Sequence, residues 1–367
     1  MSSTAVAARG TGLSSALSLG VLAFFVVAIS MAPAAAQTTV RVGWCAKTIT
    51  SAGAPFAIAT KLGWYAEAGI KVELVPVPGS TDCVKLVATR ELPFALPSDE
   101  PLAIIRPQGV KAKVFYTAYQ GFIYGIRVPA DSPIKSFADL KGKSIGVAAM
   151  SSAGYIVARA VAANNGMNPD RDVRIVAIGE GAQAAAMVRD KQVDALSIYD
   201  TQYTLIENAG VKLRELENKD IQRYPSNGFI ALEETLQKDR KQAVALANGY
   251  ARGTIFAIAN PEAAIRIFWE VYPQAKPTGK DEATALADDV KTLLARADNW
   301  KLEKAGVKRW GESNEANYAA YNDFMLKWGI IKQPVDAKDM ITNDLIPDID
   351  NFDPAAVTAM AKAYKGP

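Results

Sequence analysis

The sequence predicts an α/β protein of two lobes, each a mostly parallel sheet covered by helices. Three observations carry that expectation. Strand-like and helix-like runs alternate from Thr39, the alternation restarts after a Pro-, Gly- and charge-rich link at 129–143, and the chain past Glu233 is almost wholly helical. With 367 residues, 50% hydrophobic and 22% charged, the chain can bury more than one core.

In order, TVRVGW (39–44) reads as a strand, 55–65 as a helix and KVELVPV (71–77) as a second strand. CVKLVATRE (83–91) is helical, FALPS (94–98) is a short strand and AKVFYTAY (112–119) is another. Beyond the link come SIGVAA (144–149), a helix over 155–165, VRIVAI (173–178), a helix over 182–191, and ALSIY (195–199). After VKLREL (211–216), NGFIALE (227–233) returns the chain to the first lobe. AVALANGYARGTIFAIAN then has apolar residues at helical spacing and stops at Asn260-Pro261. The expected divisions are 37–127 for the first part of lobe one, 128–224 for lobe two, and 225–367 for the return and C-terminal helices.

The first 36 residues carry one charge, Arg9, then an apolar run over 17–31 and the small-residue stretch Ala34-Ala35-Ala36. That order of regions predicts a secretory signal cleaved near Ala36, and hence a mature protein in the periplasm. The apolar run is short for a membrane span. Acidic and basic residues are interspersed and the formal net charge is +3, so no nucleic-acid footprint is present. The sequence contains no histidine, which removes Ser-His-Asp and Cys-His nucleophilic machinery and every His-containing metal site. The one G-x-S-x-G string, Gly142-Lys143-Ser144-Ile145-Gly146, has no histidine to activate its serine. We therefore expect no enzyme, metal or cofactor; a secreted hydrolase or lyase on the same scaffold, or a partner that presents ligand to a separate sensor, are the alternatives. Cys45 and Cys83 can form a disulfide in an oxidising compartment or remain two buried thiols.

LGWYAEAGIKVELVP (62–76), SFADLKGKSIGVA (136–148) and AAMVRDKQVDALSIYD (185–200) resemble the solute-binding proteins of bacterial ABC importers. The similarity is to the branch that includes nitrate, taurine, aliphatic-sulfonate and thiamine-pyrimidine binders. It implies a type II periplasmic binding protein: two lobes joined by two crossing strands, a small polar organic solute held between them, hinge closure, and delivery to an inner-membrane permease. A monomer is expected. A related pyrimidine-forming enzyme depends on a histidine and a cysteine-rich iron motif, and this chain has neither.

In open parallel sheets, ligands bind beyond the carboxyl ends of the strands, and that rule selects the candidate contacts. Ser151 and Ser152 precede a helix, where a hydroxyl can cap and free N–H groups can receive an anion or polar oxygen. In the resembled sulfonate and taurine binders, this turn receives the ligand's acidic group. Ser80 and Thr81, in the turn Gly79-Ser80-Thr81-Asp82, and Ser98 lie at matching positions in lobe one. Trp44, Lys47 and Thr48 follow the first strand, and the Trp44 ring can stack on a flat ligand or fill core. Tyr116 and Gln120 precede the first crossing and Asn227 lies on the second. Asp200 can face an amino group or cap the helix expected from Thr201. No arginine is expected at a strand end to clamp a carboxylate or sulfonate, so a neutral or zwitterionic ligand is favoured.

Overall fold

A computed structural model describes residues 5, 7, 8, 37–216, 221 and 223–366. The expected secretory segment therefore lies outside the described residues, apart from Ala5, Ala7 and Ala8. Among the described residues, ten strands form two five-stranded sheets. The first holds β1 (Thr38–Trp44), β2 (Ile70–Pro76), β3 (Phe94–Ala95), β4 (Ala112–Thr117) and β10 (Gly228–Leu232), ordered β2-β1-β3-β10-β4. The second holds β5 (Ile126–Pro129), β6 (Ser144–Val147), β7 (Arg174–Ala177), β8 (Ala195–Leu196) and β9 (Leu213–Leu216), ordered β7-β6-β8-β5-β9.

The two orders are the same order. In each sheet the strand that arrives from the other lobe, β10 or β5, takes the fourth place and runs antiparallel to its neighbours, while the first three strands are parallel. The register repeats as well, with Gly43 opposite Ala95 in one lobe and Gly146 opposite Leu196 in the other. The second sheet begins slightly before the expected boundary at 127, because Ile126 already pairs with Leu216. The crossing itself spans 118–125.

FALPS and ALSIY contribute only two paired residues each as strands. Beyond the pair, the chain turns at once into the helices Asp99–Ile105 and Asp200–Asn208. The helix expected over 55–65 breaks in two, Ala54–Lys61 and Trp64–Glu67, because Gly63 adopts a left-handed φ of 79° that ends the first helix.

The C-terminal part packs on lobe one. Helix Arg240–Ala259 lies along Ala54–Lys61, and Phe56, Phe115, Tyr116, Phe229 and Tyr250 form one contiguous aromatic core. Helix Glu282–Ala297 differs, since it packs both on Asp200–Asn208 of lobe two and on the turn Ser51–Gly53 of lobe one. It is a third structural tie between the lobes, beside the two crossings.

Candidate functional site

The strand ends of both lobes converge on a small cavity of about 30 Å³. Trp44, Cys45, Ala46, Thr50, Ala52, Leu96 and Asn227 line it from lobe one, and Tyr199 and Thr201 from lobe two. Tyr119, Ile123 and Tyr124 of the first crossing form a further wall, and Arg296 enters from helix Glu282–Ala297. The third strand of each lobe ends here in the same way. Ser98 bridges to Asn227 and Tyr199 bridges to Tyr124, so each crossing is held against a strand end beside the cavity.

Arg296 is 3% exposed and is neutralised where it stands. Its Nε donates to both carboxylate oxygens of Asp200 at 3.1 and 2.8 Å, its Nη2 donates to Oδ1 at 2.5 Å, and Asn299 donates to Oδ2 at 3.0 Å. The guanidinium lies 4.2 Å from the centre of the Tyr119 ring, a cation–π arrangement. Burial alone would lower the arginine pKa, but the Asp200 carboxylate beside it holds the cation above its ordinary range. Burial, then the Glu180 carboxylate, likewise raises the Tyr199 phenol, which stays protonated as a donor.

Two contacts close the lobes over the cavity. The Thr81 N–H donates to the Ser151 carbonyl at 3.0 Å, and the chains approach so closely that a Cβ on Gly79 would stand 2.4 Å from that carbonyl. The Glu180 carboxylate of lobe two accepts from the Lys47 and Thr48 N–H groups of lobe one at 3.2 and 3.0 Å, and from the Thr48 hydroxyl at 2.6 Å. A disulfide between Cys45 and Cys83 joins the loop after β1 to helix Ser80–Ala88, so one covalent link spans the two lobe-one segments that meet lobe two.

Of the residues selected from sequence, Trp44 and Asn227 line the cavity. The Trp44 indole donates to the Thr48 carbonyl at 2.8 Å and meets Phe56 edge-on, so the ring is fixed as well as facing the cavity. Asn227 donates to the Leu96 carbonyl at 3.1 Å and accepts from Ser226 at 3.0 Å. Lys47, Thr48, Thr81 and Ser151 lie at the seam between the lobes instead of in the cavity wall. Ser152 does not cap its helix through its hydroxyl, which donates to the Ala149 carbonyl at 2.7 Å. Ser80 accepts from the Ser98 N–H at 3.1 Å, and both serines are buried.

Three expectations need correction. Tyr116 does not face the cavity; it packs between Phe229 and Tyr250, in the core of lobe one. Gln120 donates to the Thr117 and Glu312 carbonyls at 3.2 and 3.0 Å and so fastens the crossing to the C-terminal segment. Asp200 opens its helix, but its charge is spent on Arg296 and is not presented to a ligand amine. Sequence reasoning missed Tyr119, Tyr124 and Arg296. It also missed Glu180, although a lone acid between Gly179 and Gly181 at the end of VRIVAI was a readable signal.

Two like-folded lobes facing one another across a cavity, with the chain crossing twice between them, define the two-lobed binding-protein architecture. The chain belongs to the NMT1/THI5-like family, whose profile matches residues 51–264. It is 24% identical over 297 residues to the riboflavin-binding protein RibY of Chloroflexus aurantiacus, covering 80% of this chain and 82% of that protein. A protein of Brucella abortus is 27% identical over 293 residues, covering 78% of this chain and 86% of its own. Among solved structures, the periplasmic aliphatic sulphonate binding protein SsuA of Escherichia coli superposes with a TM-score of 0.59 at 16% identity, covering 84% of this chain and 99% of that one. The periplasmic nitrate-binding protein NrtA of Synechocystis PCC 6803 gives 0.58 at 14% identity, covering 90% and 99%. The desulfurization enzyme DszB gives 0.52 at 14% identity, covering 85% and 99%, so the fold also holds chemistry.

Proposed function

We propose that this protein is the solute-binding component of an ABC importer, working in the periplasm and passing its solute to an inner-membrane permease. The observation that carries the reading is the cavity whose walls come from both lobes; with the lobes together it has room for about one water molecule, so a solute enters as the lobes part and is held between the same walls. The named functions of RibY, SsuA and NrtA support it. The wall is aromatic on several sides, with Trp44, Tyr119, Tyr124 and Tyr199, and its other polar side chains are Thr50, Thr201, Asn227 and Arg296, the last paired with Asp200 behind the wall.

That balance selects a small organic solute with a flat ring and a few hydrogen-bonding groups, neutral or zwitterionic. A simple inorganic anion is disfavoured, because the one guanidinium in the wall already carries its counter-charge at 2.5 Å. The test is a thermal-shift panel on the mature protein with riboflavin, pyrimidines, zwitterionic amino acids, taurine, alkanesulfonates and nitrate. A ring compound should raise the midpoint in proportion to the logarithm of its concentration. Stabilisation by nitrate alone would overturn the solute class, and product accumulating at catalytic protein levels would overturn binding as the function.

A further inference from the structure

We infer that Glu180 is a latch that holds the two lobes closed over the cavity, and that the Cys45–Cys83 disulfide presents its receptor. The inference rests on the solute-binding reading above and names a regulating contact of that same site.

A carboxylate has about four lone-pair positions, and all four are used here. Oε1 accepts from the Lys47 N–H at 3.2 Å and from the Tyr199 hydroxyl at 3.2 Å; Oε2 accepts from the Thr48 N–H at 3.0 Å and from the Thr48 hydroxyl at 2.6 Å. Three of these donors belong to lobe one and the fourth to a wall of the cavity. Charge-assisted hydrogen bonds of this kind are roughly twice as strong as neutral ones. Successive backbone N–H groups converging on one anion form a small receptor, and Lys47 and Thr48 supply it.

The side that presents the acid is built for it. Gly179 and Gly181 flank Glu180 at φ of 75° and 57°, left-handed conformations that place the acid at the tip of a Gly-Glu-Gly turn before helix Gly181–Arg189. The receiving side is tied down by Cys45, two residues before Lys47, whose disulfide anchors the loop to helix Ser80–Ala88. The same helix starts at the second closing contact, Thr81 with Ser151. The bridge thus makes the two contacts one unit: the loop cannot swing away from Glu180 without pulling on the segment that meets Ser151. Tyr199 couples the latch to the cavity, since its hydroxyl holds Glu180 while its residue lines the wall.

The experiment follows amide exchange at Lys47 and Thr48, together with the radius of gyration from small-angle scattering, in the full mature chain without added solute. Glu180→Ala should accelerate exchange at both amides about tenfold or more and increase the radius of gyration, while exchange at Val42 within β1 stays as in the parent. Glu180→Gln keeps the length and one acceptor oxygen and should fall between the two. Glu180→Asp keeps the charge but loses reach, and should behave like the alanine variant. Parent-like exchange and dimensions in Glu180→Ala would overturn the latch, as would full retention in Glu180→Asp, which would point to long-range charge. The paired change Cys45→Ser with Cys83→Ser should speed exchange at Lys47, Thr48 and Thr81 together; acceleration at none of them would remove the disulfide from the device. None of these readouts requires a ligand. A protein that ignores every solute in the panel would therefore sink the functional reading while the latch is still decided by exchange.

Discussion

Asp99 and Asp200 occupy the same place in the two lobes and meet opposite fates. Each opens the helix after its lobe's third strand, and each donates its N–H at 3.0 Å to a carbonyl on a crossing, Ser226 for Asp99 and Ile123 for Asp200. Asp200 meets Arg296; Asp99 has no salt-bridge partner among the described residues and stands fully buried beside Glu100. Burial, then the Glu100 charge, pushes the Asp99 pKa well above the usual carboxylate value. The native state thus holds a proton at Asp99 that the unfolded chain releases above about pH 4, and this group's contribution to stability declines as pH rises. Asp99→Asn should leave stability at pH 7 equal or higher and flatten its dependence on pH. Asp200→Asn should cost about 3 kcal/mol or more, because it strands the buried Arg296 cation. Urea titrations of both variants at pH 5 and pH 7 check the contrast, and equal losses in the two would show that pairing does not separate them. Both aspartates were readable as acids at strand ends. The arginine that distinguishes them was not, because it lies 96 residues further along the chain, in the last turn of a helix where a basic residue ordinarily answers the helix dipole.

At the scale of elements, helix Glu282–Ala297 shows what pattern reasoning captures and what it omits. Its existence follows from apolar spacing and from the Asp281 cap, whose side chain accepts from the Thr284 N–H at 2.9 Å. Its placement across both lobes does not follow, because amphipathic spacing says that a face is buried without saying against what. The same holds for the short strands: FALPS and ALSIY are mostly apolar, but pairing partners decide how much of each is strand. Within the helix, Asp289 is 6% exposed and accepts from the Trp269 indole at 2.7 Å. Burial raises its pKa from 3.8 to about 6, against the pull of that hydrogen bond. Between those two values the native state binds more protons than the unfolded chain, so this group's contribution falls as pH rises through the window, by an amount on the order of 2–3 kcal/mol. Asp289→Asn should therefore stabilise the protein above pH 7 and match the parent near pH 4. Parallel stability curves for parent and variant from pH 4 to pH 8 would show that Asp289 titrates normally.

For the whole molecule, the repeated strand order explains why architecture was legible and the site only partly so. A doubled strand and helix rhythm dictates two sheets, and the strand-end rule directs attention to the loops at 44–48, 79–82, 98, 151–152 and 200. Of those positions, Lys47, Thr48, Thr81 and Ser151 meet at the seam and Trp44 lines the cavity, but the crossings and helix Glu282–Ala297 complete it, and nothing local in sequence reports a contact across such separations. The disulfide is the one long-range tie whose members could be named beforehand. It closes a segment of 38 residues in lobe one, and loop-closure entropy assigns such a bridge about 3–4 kcal/mol. Because both ends lie in lobe one, reduction should destabilise that lobe while the second sheet, β5 to β9, keeps its intrinsic stability. Urea unfolding with and without reductant, followed by exchange at amides in each sheet, measures this directly. Loss of protection concentrated in β1 to β3 is the expected result. Equal loss in both sheets would mean that the lobes unfold as a single cooperative unit, and two thiols alkylated in the native oxidised protein would mean that the bridge does not form.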